Sequence, residues 1–227
     1  VGDFFADRDA LKAFYADTVE RYLDLVRERT GAAHLVLKDP GLTADFPHVH
    51  ELLPDARFAV IIRHPLDVCA SMVRVGRRLE AMGEWSPFEV GDVGRMCGQY
   101  LGCYGPLADA QNRSESLRRA VLWVRYEDLV GNSAPVLKEI AKFTGLACER
   151  FDPEAEWRMF SRRVFQGTKR QEAFPTELSG RGISKDSVGR FGDVLTAEDC
   201  AIIARECREA IHAFGYDAMP AFRLETA

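Results

Sequence analysis

The apolar positions of this chain follow two rhythms. Leu11, Phe14, Tyr15, Tyr22, Leu23 and Val26 recur at helical spacing, which predicts an amphipathic helix over 9–29 with Gly31 as its stop. Residues 34–37, HLVL, are short and apolar and read as a buried strand. A short helix is expected over 46–53, halted before Pro54. Residues 58–62, FAVII, are the clearest strand, with five apolar positions and no turn former. Pro65 suits the first turn of a helix predicted over 66–79, and 83–93 is loop-like. A helix over 93–109 is expected against the opposition of Gly94, Gly98, Gly102, Gly105 and Pro106. Residues 120–124 read as a third strand, and Ser133 as the cap of a helix that Gly145 ends. The stretch 151–190 has few periodic apolar positions and reads as mostly irregular. Thr196 then caps a last long helix, with Ile203, Cys207, Ala210, Ile211 and Phe214 on one face and Gly215 at its end.

Strands alternating with helices imply an α/β fold with a mostly parallel sheet covered on both faces. In such sheets ligands bind beyond the carboxyl ends of the strands. Lys38, Arg63, and Arg125 with Tyr126 fall at those ends. The length suits one domain, expected to span 1–227, and is enough to bury a full core.

Charge and cysteine content narrow the classes. A net charge of −5 argues against general nucleic-acid binding, which needs a basic face, while leaving room for a local basic pocket. No apolar run approaches the ~20 residues of a membrane span. Six cysteines stand at 69, 97, 103, 148, 200 and 207, none in CxxC and none beside histidines at zinc-ligand spacing. They read as reduced thiols and favour a reducing compartment, the cytoplasm. The chain opens at Val1 without an initiator Met, which reads as a partial or trimmed sequence whose targeting signals would lie upstream.

The candidate chemistry centres on 35–74. Arg63 ends a strand, and Ser71 lies eight residues on in the next helix. A helix start attracts phosphate through its free N–H groups and partial positive charge, and Arg63 adds a forked, permanent cation. Against this, Arg63 could pair with Asp67 and Ser71 be an ordinary helix residue; local physics alone leaves the two readings level. Lys38, in the turn KDPG, could hold positive charge against a transferring group. By itself a solvated turn with a Lys38–Asp39 surface pair is the better account. From 162 to 190 seven Lys or Arg (162, 163, 169, 170, 181, 185, 190) face three acids, a local +4 on a Gly-containing loop suited to fold over an anion. A metal site at His48, His50 and His64 is disfavoured, because residues two apart on a helix face different ways and no third ligand is evident. There is no GxSxG, HExxH or GxGxxG.

Taken together, LVLKDP, LLPDARFAVIIRHPLDVCASM, LWVRYEDLV, ISKDSVGRF and the final FGY resemble the sulfotransferases that use 3′-phosphoadenosine 5′-phosphosulfate (PAPS). The forms are closest to the broad bacterial group, which is similar to tyrosylprotein sulfotransferases. The resemblance implies a three-layer, P-loop-NTPase-like sandwich. It implies that Arg63 and Ser71 bind the 3′-phosphate of the nucleotide and that Tyr126 sits beside it. Lys185, Ser187, Val188 and Gly189 would belong to a loop closing over the donor. Lys38 would be catalytic, stabilising charge near the bridging oxygen as the sulfuryl group leaves. An acceptor hydroxyl would receive it, leaving 3′,5′-bisphosphoadenosine (PAP), with no metal required. The acceptor, the general base and the oligomeric state stay open.

The family's Gly-rich phosphosulfate loop, of the type GxxRSGT, does not occur in these 227 residues. The expectation is therefore a sheet missing its first central strand and a chain that alone is weak or inactive in transfer. Two rivals stand beside this reading. One is a nucleoside or small-molecule kinase on the related P-loop architecture, for which neither a Walker loop nor a magnesium-binding acid is evident. The other is a truncated, non-catalytic interaction module.

Overall fold

The computed structural model describes residues 4–146, 184–219 and 222. The predicted irregular stretch lies outside the described residues over 151–183. So do Cys148 and Arg162, Arg163, Lys169, Arg170 and Arg181 of the basic loop. The chain divides into two compact units, Val1–Phe58 with Cys103–Leu122, and Ala59–Gly102 with Trp123–Ala227.

In the first unit, α1 (Arg8–Thr30) begins where the Asp7 carboxylate accepts the Ala10 N–H at 2.8 Å. It ends at Gly31, whose φ of 64° only glycine adopts without strain. Leu11, Leu23 and Val26 of the expected apolar face are half-buried, whereas Phe14, Tyr15 and Tyr22 are exposed. A 3-10 helix (Pro40–Asp45) leads into α2 (Phe46–Leu52), which packs on α1 through a Lys12–Glu51 ion pair at 2.6 Å. A short helix that the apolar pattern does not reveal, Glu115–Ala120, is capped by Ser114, whose hydroxyl accepts the Leu117 N–H.

The second unit carries most of the sheet: β1 (Phe58–Ile62) pairs in parallel with β2 (Val121–Arg125). These are the only strands among the described residues. The expected strand over 34–37 is not one of them: Val36 and Leu37 are each 75 % exposed and take no place in a ladder. A strand needs a hydrogen-bonding neighbour on at least one edge, and among the described residues no strand pairs with this segment. Phe58, Val60 and Ile62 of β1 are buried while Ala59 and Ile61 are exposed, so the strand alternates instead of being covered on both faces.

Between the strands run α3 (Pro65–Ala81) and α4 (Val93–Arg113), with the 115–120 helix (α5) closing the crossover. α4 is continuous and longer than its glycines and Pro106 suggest. Met96, Cys97 and Tyr100 on it are buried, and this packing outweighs poor local propensity. After β2 come α6 (Tyr126–Gly131) and α7 (Ser133–Thr144). Asn132, not Ser133, holds the N-cap position of α7, and Gly145 ends it at φ 76°. The expected last long helix is two, α8 (Ala197–Glu206) and α9 (Arg208–Ala213), broken at Cys207. Thr196 and Asp199 form a full capping box at its start, each side chain accepting the other residue's backbone N–H. Among the described residues no helix is long and apolar enough to cross a membrane.

Candidate functional site

Arg63 follows directly on β1, and Pro65 opens α3 two residues later. A strand end and a helix start thus place the guanidinium beside the first turn of α3. There its Nη2 donates to Asp67 Oδ2 at 3.1 Å, one helical turn on, and also to the Ser187 carbonyl. Tyr126, the first residue of α6 after β2, lays its ring under the same guanidinium, 4.7 Å from Cζ to centroid. The Tyr126 hydroxyl lies 2.8 Å from Ser187 Oγ. The Gly189 N–H closes the ring of contacts by donating to Asp67 Oδ2 at 2.9 Å. Arg63, Asp67, Tyr126, Ser187 and Gly189 therefore form one cluster from three separate stretches of the second unit.

Of the residues expected at a phosphate site, Arg63, Tyr126, Ser187 and Gly189 are brought together. Val188 is half-buried between the two loop contacts, and its N–H bonds the Lys185 carbonyl at 2.9 Å, making the turn that presents Ser187. Gly189 sits at φ 74°, a left-handed turn position that a side chain would strain. Lys185 is exposed. Ser71 is half-buried on α3, one turn beyond Asp67 on the same face. Lys38 belongs to the first unit, exposed in the irregular segment before the 3-10 helix; Asp39 beside it caps that helix by accepting the Gly41 N–H at 2.8 Å.

Two expectations need correction. The start of α3 does not present a row of free N–H groups. Pro65 has none, and the Leu66 N–H donates to Nδ1 of His64 at 3.2 Å, while Asp67 already answers the helix dipole with negative charge. Arg125 does not join the cationic group either. It pairs with Asp128 at 2.6 Å and donates to the Phe214 and Gly215 carbonyls, closing the end of α9. Among the described residues the Arg63 Nε is buried and takes no hydrogen-bond partner, while its Nη2 serves both Asp67 and Ser187.

Beneath the cluster lies a buried polar network that sequence reasoning did not assign. Glu127 is 5 % exposed; its Oε1 accepts the His64 N–H at 2.9 Å and its Oε2 the Tyr216 hydroxyl at 3.1 Å. Burial pushes its carboxyl up from the usual range, opposed by those hydrogen bonds. The His64 ring stacks on Phe222 at 3.7 Å and meets Tyr216 edge-on. Burial holds its pKa down at about 3, so the ring is neutral, with Nδ1 as acceptor and the proton on Nε2. The hint in the sequence was position: Glu127 follows the strand-end Tyr126 inside RYEDL.

Three buried thiols pack in the same unit. Cys97 of α4 is surrounded by Cys207, between α8 and α9, and by Cys69 of α3. Mutual contact and burial push the Cys69 and Cys207 thiols up. In the first unit a cleft of about 760 Å³ is lined by residues including His50, Arg57, Arg113 and Arg119, and by none of the expected site residues.

The model of the sulfotransferase family matches residues 3–150, which include Lys38, Arg63, Ser71 and Tyr126. Neither the curated proteins nor the solved structures gave a match. With 148 of its 227 residues under the family model, this chain belongs to the sulfotransferase family.

Proposed function

We propose that the protein handles PAPS, the sulfuryl group passing to an acceptor hydroxyl and PAP remaining as product. The observation that carries this reading is the Arg63 cluster. A guanidinium at a strand end rests on the Tyr126 ring and donates to the Ser187 carbonyl, and the Gly189 N–H meets the same Asp67 oxygen that holds it. Arg63 would take the 3′-phosphate as a forked donor, assisted by the Ser71 hydroxyl one turn beyond Asp67. The Tyr126 ring would face the nucleotide. Lys185, Ser187, Val188 and Gly189 would fold over it, the turn at Gly189 bringing a backbone N–H close. The pairing of Arg63 with Asp67 does not compete with this role, because one guanidinium offers five N–H donors and the carboxylate holds it in place.

In the transfer itself, the acceptor oxygen forms a bond to sulfur as the bond from sulfur to the bridging phosphate oxygen breaks. The acceptor proton leaves to a base, and the electron pair of the broken bond stays on PAP. Lys38 would meet the charge that develops on the bridging oxygen. Positioning and charge stabilisation would supply most of the acceleration, as in phosphoryl transfer.

The test is a thermal-shift comparison of PAP with ADP plus magnesium. Stabilisation by PAP that Arg63→Ala abolishes supports the reading. Preference for ADP plus magnesium would instead favour phosphoryl transfer and overturn it.

A further inference from the structure

Arg63 is held not only through its guanidinium but through its backbone. The Arg63 carbonyl accepts the Tyr100 hydroxyl at 3.1 Å, and the His64 N–H donates to Glu127 Oε1 at 2.9 Å. That carbonyl and that N–H belong to one peptide group, the one joining Arg63 to His64. Both of its polar ends are therefore clamped, by side chains from α4 and α6. Rotation of this peptide plane would change ψ at Arg63 and φ at His64, the angles that set how α3, with Asp67, lies against the arginine and so how the guanidinium is held on Tyr126. Glu127 also ties its other oxygen to Tyr216, and its chain neighbour is Tyr126 itself. One buried carboxylate thus links the backbone beside the arginine to the residue whose ring supports it. An apolar residue would fill this buried space at lower desolvation cost, so the carboxylate needs a compensating gain.

We propose that Glu127 and Tyr100 are positioning residues, which fix the Arg63–His64 peptide plane and so hold the guanidinium on Tyr126 in the orientation that receives a ribose phosphate. This rests on the phosphate reading of Arg63 given above. Neither residue touches the ligand; both act through Arg63.

The experiment measures affinity of the 227-residue chain for PAP and for AMP, which lacks the 3′-phosphate. Wild type is expected to prefer PAP. Glu127→Leu and Tyr100→Phe are expected to lower PAP affinity about tenfold and leave AMP affinity within about twofold, since one strong hydrogen bond is lost at the clamp. Glu127→Gln can accept from His64 with its oxygen and donate to Tyr216 with its amide, so it is expected to restore most of the selectivity. A role in stability alone would weaken both ligands alike, and that result overturns the proposal. So does wild-type selectivity in Glu127→Leu and Tyr100→Phe. If Glu127→Leu does not fold, Tyr100→Phe, which keeps its ring, decides the matter. Equal affinity of the wild type for PAP and AMP is the distinguishable outcome that removes the phosphate reading itself, and the positioning role with it.

Discussion

Asp67 and Gly189, 122 positions apart in sequence, share a hydrogen bond of 2.9 Å in which the glycine N–H donates to the carboxylate. The same oxygen receives Arg63, so one buried acid, 2 % exposed, anchors both the cation and the segment lying on it. Replacing Asp67 by Ala strips the partner from a largely buried guanidinium, a loss on the order of 3 kcal/mol. Urea unfolding should show that loss, and hydrogen exchange at the Gly189 amide should quicken.

Tyr126→Phe removes only the hydroxyl that meets Ser187 and keeps the ring under Arg63. The expected cost is about 1 kcal/mol. Faster amide exchange over 185–189, with little change at 63–67, would show that the hydroxyl secures the loop and the ring secures the arginine.

Acid should weaken the fold through His64. Its folded pKa of about 3 lies below the ordinary 6.5, so the neutral ring is the native form. Its contribution is complete above 6.5 and is lost as pH falls from 6.5 toward 3, at about 1.4 kcal/mol per pH unit. His64→Asn keeps an acceptor for the Leu66 N–H but cannot titrate. Its stability should fall less steeply between about pH 6 and pH 4, and an unchanged slope would assign the acid sensitivity elsewhere.

Gly76 lies in α3 where an added Cβ would come within 2.5 Å of Val90 Cγ2. Alanine is the better helix former, yet Gly76→Ala should destabilise by about 1–3 kcal/mol, because the clash outweighs the propensity gain. A raised melting temperature in this variant would contradict the tight seating of 86–90 on α3.

Cys69, Cys97 and Cys207 are at most 1 % exposed. A thiol-specific reagent should leave them unlabelled in the native chain and label all three in urea. Mass mapping that found any of them modified first would show that the α3–α4 packing opens readily.

Much of the local structure was legible because its causes lie within a turn or two of chain. Thr196 as an N-cap, the stops at Gly31 and Gly145, and Pro65 at the head of α3 each depend on neighbours alone. Arg63 and Tyr126 could be placed at strand ends for the same reason. The family was also readable from ordered short stretches, of which those up to LWVRYEDLV fall within the residues the family model matches. Residues 34–37 show the limit, since an apolar run becomes a strand only when another strand meets it.

What the chain settled by itself, then, is roughly where α1, β1, α3 and β2 lie, and which cation stands at the end of β1. Only the tertiary structure decided that Asp67 would hold that cation, that Ser187 and Gly189 would reach it, that Arg125 would turn away to close α9, and that Glu127 and Tyr100 would clamp the peptide after Arg63. These bonds span some 37 to 124 positions, apart from the single-turn pairing of Arg63 with Asp67. Their partners are selected by how helices pack on the sheet, and no pattern within one element records that choice.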